Sequence, residues 1–154
     1  MRFVYGAIGV ALPFVGTLLF MFYAGKKYNS IDENYRYSAH ILEFPERISD
    51  YSTFLQSLYL RKLSIYYTLL VVNFLLCFFL PRIGSISTYI SSLLFIWFGV
   101  CTHTAVTRCK RVLRGMSSHD RLLCTPILSL YRSSFIYCIF LLFCFNLFFE
   151  CFYC

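Results

Sequence analysis

Apolar positions fall in four long runs, separated by two polar stretches and one tight turn. The central pair forms a hydrophobic hairpin from Leu63 to Val106, broken only at Pro81-Arg82. Its first arm, 63–80, reads LSIYYTLLVVNFLLCFFL and carries no charge. Its second, 83–106, reads IGSISTYISSLLFIWFGVCTHTAV and is uncharged when His103 is neutral. A helix rises about 1.5 Å per residue, so each arm is long enough to cross a hydrocarbon layer of about 30 Å. A helix is also the single-segment structure that satisfies every backbone N–H and C=O in lipid. Two more runs, 3–24 and about 126–149, have the same character. The pattern predicts an all-α fold: one polytopic integral membrane domain over 1–154, with four transmembrane helices.

The run at 3–24, FVYGAIGVALPFVGTLLFMFYA, has the hydrophobicity of a secretory signal. Only Arg2 precedes it, the apolar stretch is long, and Lys26-Lys27 follows, so a retained span is expected. Gly6, Gly9, Pro13 and Gly16 recur at helical spacing and share one face. Small residues on one face let a second helix approach closely in lipid, which makes this stripe a candidate packing surface. Pro13 removes one backbone donor and crowds the preceding turn, so a kink is expected there.

Residues 25–62 form the one long polar segment. KKYNSIDENYRYSAH has no period and reads as loop. From Phe44 the pattern changes: Phe44, Ile48, Tyr51, Leu55 and Leu58 follow helical spacing, with charged and hydroxyl residues between them. This predicts an amphipathic helix over about 45–62, with Pro45 and Glu46 in its first turn. The stripe lies either in the membrane interface or against protein. Glu46, Asp50 and Arg47 mix signs on the polar face, which adds little attraction to anionic head groups and favours protein contact.

Pro81-Arg82-Ile83-Gly84-Ser85 reads as a tight turn. Beyond it, Gly84, Thr88 and Ser92 are spaced by four, as are Ser87 and Ser91. This second small-residue face has the glycine face of the first run as a candidate partner; alternatively its hydroxyls bond their own helix backbone. TRCKRVLRGMSSHDRLLCT, 107–125, reads as a short basic loop. Pro126 suits the start of the last helix, with Arg132 snorkelling from its first turns.

Composition agrees with burial in lipid. The 154 residues are 59% hydrophobic and 14% charged, against about 25% charged in soluble chains. The formal net charge of +7 does not imply nucleic acid, because the cations flank apolar runs. Four spans place Lys26, Lys27, Arg36, Arg47, Arg61, Lys62, Arg108, Lys110, Arg111, Arg114 and Arg121 on one face, eleven cations in all. Arg2 and Arg82 fall on the other. The asymmetry predicts loops toward the cytosol or matrix and both termini on the non-cytoplasmic or intermembrane-space side. The expected partners are other membrane subunits and lipids, including anionic lipid at the basic loops.

Signals for chemistry are sparse. Cys151 and Cys154 form a C-x-x-C whose spacing would let two sulfurs meet on a helical turn as a redox pair. Of the eight cysteines, at least Cys77, Cys138 and Cys144 fall inside spans, where they read as small hydrophobes. Glu150 is the one acid at the edge of a span, four residues from Asn146. A carboxylate at depth is often functional, but near an interface hydration removes the reason. Asn73 and Asn146 read as interhelical hydrogen-bond partners. His103 lacks a second intramembrane histidine with which to ligate haem. Ser118-His119-Asp120 are adjacent in sequence, whereas a triad is recognised by geometry. No P-loop, dinucleotide or zincin motif occurs, and no cofactor is expected.

The aromatic-rich, motif-poor composition resembles that of accessory subunits of mitochondrial inner-membrane complexes. The expectation is therefore a structural subunit of a larger membrane complex, of the respiratory chain or ATP synthase, with the mitochondrial inner membrane favoured over the endoplasmic reticulum. The alternative is a small membrane enzyme. Length, four spans and terminal placement are similar to the membrane-associated glutathione and eicosanoid transferases. That family opens its second helix with E-R-x-x-R-A-x-x-N-x-x-E. Here Glu46-Arg47 is followed by Ile48-Ser49-Asp50-Tyr51 and the pattern stops, so the resemblance covers architecture and no residue role.

Overall fold

The computed structural model describes residues 1–30 and 56–153. Among them the regular structure is helical throughout: α1 (Arg2–Asn29), a π-helical turn (Gln56–Leu60) leading into α2 (Arg61–Phe79), α3 (Pro81–Arg114) and α4 (Ser118–Tyr153). Four helices, counting the π turn with α2, are long and apolar enough to cross a membrane. The amphipathic helix expected from about residue 45 falls largely outside the described residues; its last stretch is the π turn.

The ends of the helices follow from local chemistry. A residue before proline is driven out of the α region, and Leu80, before Pro81, adopts φ −136°, ψ 74°. That one residue joins α2 to α3. Its N–H donates to Leu76 O (2.8 Å) and its carbonyl accepts from Gly84 N (2.9 Å). The turn expected over 81–85 is thus already helix, with Pro81 in the first helical position, where its missing N–H costs nothing.

The expected basic loop is also mostly helix. Nothing between Val106 and Arg114 breaks the α conformation, so α3 continues to Gly115. Arg121, in the opening turns of α4, then caps α3: its Nε donates to Leu113 O (3.1 Å) and its Nη2 to Arg114 O (3.3 Å). A cation is favoured where helix carbonyls lack partners. Helix α4 begins at Ser118 and runs through Pro126, which therefore lies inside the helix and not at its start.

The pairs α1–α4, α3–α4 and α2–α3 run antiparallel, while α2 runs parallel to α4, with Lys62 beside Ser134 at one end and Phe74 beside Phe152 at the other. Helix α4 is the hub, packed along α1 on one side and α3 on the other, while α2 lies chiefly on α3. Phe74 stacks edge-on against Phe152, and a Cβ on Gly6 would lie 3.3 Å from Cys151 Sγ. The amino terminus, the Leu80 turn and the end of α4 therefore share one end of the bundle. Lys26, Lys27, Arg61 and the 115–117 turn share the other. Phe95, Tyr66, Tyr137, Leu141 and Phe145 fill the centre. Outward faces are apolar: Phe14, Leu18 and Phe22 on α1, and Ile86, Tyr89, Leu93 and Trp97 on α3, are exposed.

Candidate functional site

Two features concentrate polar chemistry inside this apolar bundle: a ladder of buried hydroxyls joining α1, α2 and α4, and a groove between α1 and α4 near the cation-rich end.

The ladder rests on the glycine face of α1. Gly9, Pro13 and Gly16 are buried and Gly6 is half-buried. A Cβ on Gly9 would lie 2.5 Å from Phe148 Cβ and 3.0 Å from Cys144 O, and one on Gly16 would run into the Phe140 ring. The face therefore packs against α4, and not against the Gly84 face of α3 as the sequence suggested. Close backbone approach brings the hydroxyls of other helices within reach of α1. Tyr66 OH donates to Gly9 O (2.5 Å) and Tyr67 OH to Val10 O (2.7 Å).

Proline explains the first of these bonds. In a regular helix Gly9 O accepts from the N–H four residues on. That residue is Pro13, which has none. Helix α1 stays continuous through Pro13, and Tyr66 supplies the missing donor from a neighbouring helix. Further along, Thr17 Oγ1 donates to Pro13 O (2.7 Å) and lies 2.8 Å from Tyr137 OH. Tyr59 OH pairs with Ser133 Oγ (2.6 Å), and Lys62 Nζ donates to Ser134 Oγ (2.9 Å).

The small-residue face of α3 packs on α2. A Cβ on Gly84 would lie 2.6 Å from both Cα and N of Cys77. Thr88 is buried beside it, but Ser92 is only half-buried, and Ser91 takes the inward position. At about 100° per residue, steps of four drift by about 40° each, so two such steps leave the face while a step of seven returns to it. Asn73 is 0% exposed and donates through Nδ2 to Ser91 Oγ (2.9 Å) and Leu69 O (2.7 Å). Among the described residues its Oδ1 is buried without a hydrogen-bond partner. Thr88 and Ser91 also donate to their own helix carbonyls, Gly84 O and Ser87 O, both at 2.9 Å. Asn146 instead bonds Leu142 O within its own helix and is exposed.

The groove has a volume of ≈ 610 Å³ and is lined by Gly16, Leu19, Phe20, Tyr23, Ser129, Arg132, Ser133, Ile136 and Phe140. Tyr23 OH and Ser129 Oγ meet across it at 2.5 Å. Lys27 Nζ lies 5.9 Å from the Tyr23 ring centroid, at the rim.

The remaining candidates are dispersed. Leu58 is buried in the chain's own core, whereas Phe44, Ile48, Tyr51 and Leu55 lie outside the described residues. Cys151 is half-buried near Gly6, and Cys154 lies outside the described residues, so the C-x-x-C geometry is not on view. His103 is exposed, its ring 5.6 Å from Phe135, and Glu150 is exposed at the end opposite Lys27. Among the described residues no three His, Cys, Asp or Glu side chains gather as a metal site. The tyrosine ladder was missed from sequence, yet Tyr59, Tyr66 and Asn73 recur every seven residues, interleaved with Leu63, Leu70 and Cys77. That heptad spacing was its signal.

Comparisons with protein-family models, curated proteins and solved structures find no match.

Proposed function

We propose that this chain is an integral membrane protein and a structural subunit of a larger membrane complex. The observation that carries the reading is the division of its surfaces. Thr17, Tyr66, Asn73, Ser91 and Tyr137 turn inward and bond to one another or to backbone, while α1 and α3 present apolar faces outward along most of their length. In water such faces would be an aggregation liability; in a bilayer they are lipid or subunit contacts. The end bearing Lys26, Lys27, Arg61 and the basic turn faces cytosol or matrix on this reading, by the positive-inside rule. Composition favours the mitochondrial inner membrane.

Two measurements test it. Alkaline carbonate should leave the protein in the membrane pellet, and release into the supernatant would reject membrane integration. In mild detergent the chain should migrate on native gels within a large assembly. Leu55→Asp, on the apolar stripe of the 44–58 segment, should detach it while leaving insertion intact. Co-migration unchanged by that variant would remove the stripe from the interface. A lone glutathione-binding homotrimer would replace the subunit reading with the transferase one.

A further inference from the structure

We propose that the groove between α1 and α4 binds one anionic phospholipid, with its phosphate on Arg132 and an acyl chain along the apolar floor toward Phe140. The proposal rests on the membrane reading above and adds a specific ligand to it.

The groove is ordered like the molecule it would hold. The antiparallel register pairs Tyr23 with Ser129 near the cationic end and Thr17 with Tyr137 deeper in. Arg132 therefore sits near the mouth, while Ile136 and Phe140 lie progressively deeper on the same helix. Arg132 and Phe140 are eight positions apart, a rise of about 12 Å. Within that length the wall changes from guanidinium and hydroxyl to bare glycine, aliphatic and aromatic surface. A phospholipid makes the same change from phosphate to chain.

Charge selects the head group. Arg132 is exposed into the groove, and no ion pair to it occurs among the described residues. Of the two acids among those residues, Glu150 stands at the opposite end of the bundle and Asp120 lies three turns before Arg132 on α4. A cation on the lipid-facing wall of a membrane bundle is costly unless it snorkels or meets an anion. Arginine's planar fork suits phosphate oxygens in bidentate fashion. The Tyr23–Ser129 pair shares one hydroxyl hydrogen between its two oxygens and leaves the other to donate to the head group. Lys27 at the rim adds a second positive charge.

The test is native mass spectrometry of the delipidated full chain, in mild detergent, titrated with dioleoyl phosphatidylglycerol or dioleoyl phosphatidylcholine. The first phosphatidylglycerol adduct should form at least about fivefold more tightly, given the contribution of one basic side chain to anionic-lipid attraction. Arg132→Gln should abolish most of that preference, Arg132→Lys should retain part of it, and Arg108→Gln, an exposed cation on α3, should leave it unchanged. Equal binding of the two lipids, or a preference untouched by Arg132→Gln, overturns the site. Competition by glycerol 3-phosphate, which has no chain, would reduce it to an anion contact and overturn the lipid assignment. Retention after carbonate washing without lipid preference rejects the site alone. Release by carbonate rejects the membrane reading, and the site with it.

Discussion

Tyr66 carries the most exacting prediction, because its hydroxyl has a defined chemical task. Gly9 O loses its regular helical donor to Pro13, and Tyr66 OH replaces it at 2.5 Å in a position 0% exposed. Tyr66→Phe keeps the ring, and with it the contacts to Phe95 and Phe145 at 5.9 and 6.0 Å between centroids. It removes only the hydroxyl and leaves a buried carbonyl orphaned. Such a loss costs about 1–3 kcal/mol in soluble proteins. Interhelical bonds in lipid average about 0.6 and reach about 1.7 kcal/mol. The absence of an alternative donor places this bond toward the upper end, at about 1.5 kcal/mol. Pro13→Ala restores an N–H facing Gly9 O. In that background Tyr66→Phe should cost only about 0.5 kcal/mol, a coupling of about 1 kcal/mol in the double-mutant cycle. The assay is equilibrium unfolding in mixed detergent with rising SDS, followed by far-UV circular dichroism and the single Trp97. An equal cost of Tyr66→Phe in both backgrounds would falsify the assignment of Tyr66 as the donor that Pro13 requires.

Other outcomes follow from the same contacts. Gly9→Leu should destabilise the α1–α4 packing by more than about 2 kcal/mol, since its Cβ meets backbone and Cβ atoms of Phe148 that cannot swing aside. Gly84→Ala should cost about 1–3 kcal/mol by prising the α2–α3 hairpin apart at Cys77. Gly6→Ala, facing only a cysteine sulfur at 3.3 Å, should stay within about 0.5 kcal/mol. The same unfolding series ranks all three, and the reverse order would show the packing to be misplaced. Asn73→Leu should be neutral or stabilising within the isolated chain, because it removes an unpartnered Oδ1 while Ser91 keeps its bond to Ser87 O. A loss above about 2 kcal/mol would show that Asn73 holds the α2–α3 contact by hydrogen bonding.

The sequence by itself determined the helices and their apolar character. Uncharged runs of span length leave the backbone no other way to satisfy its polar groups away from water. It also marked the glycine face of α1, because small residues at helical spacing have a definite direction on the helix surface. Helix ends were less legible: Leu80 alone makes the turn, and α3 and α4 extend through stretches that polarity suggested were loop. Polar residues do not end a helix when no residue breaks it and a cation such as Arg121 reaches the final carbonyls. Which faces meet was decided only by tertiary structure. Gly9 packs on Phe148 and Gly84 on Cys77, a choice among helix pairs that spacing within one helix cannot express. The ladder likewise needed three dimensions. Tyr66, 57 positions from Gly9, satisfies a carbonyl left without a donor by a proline on another helix.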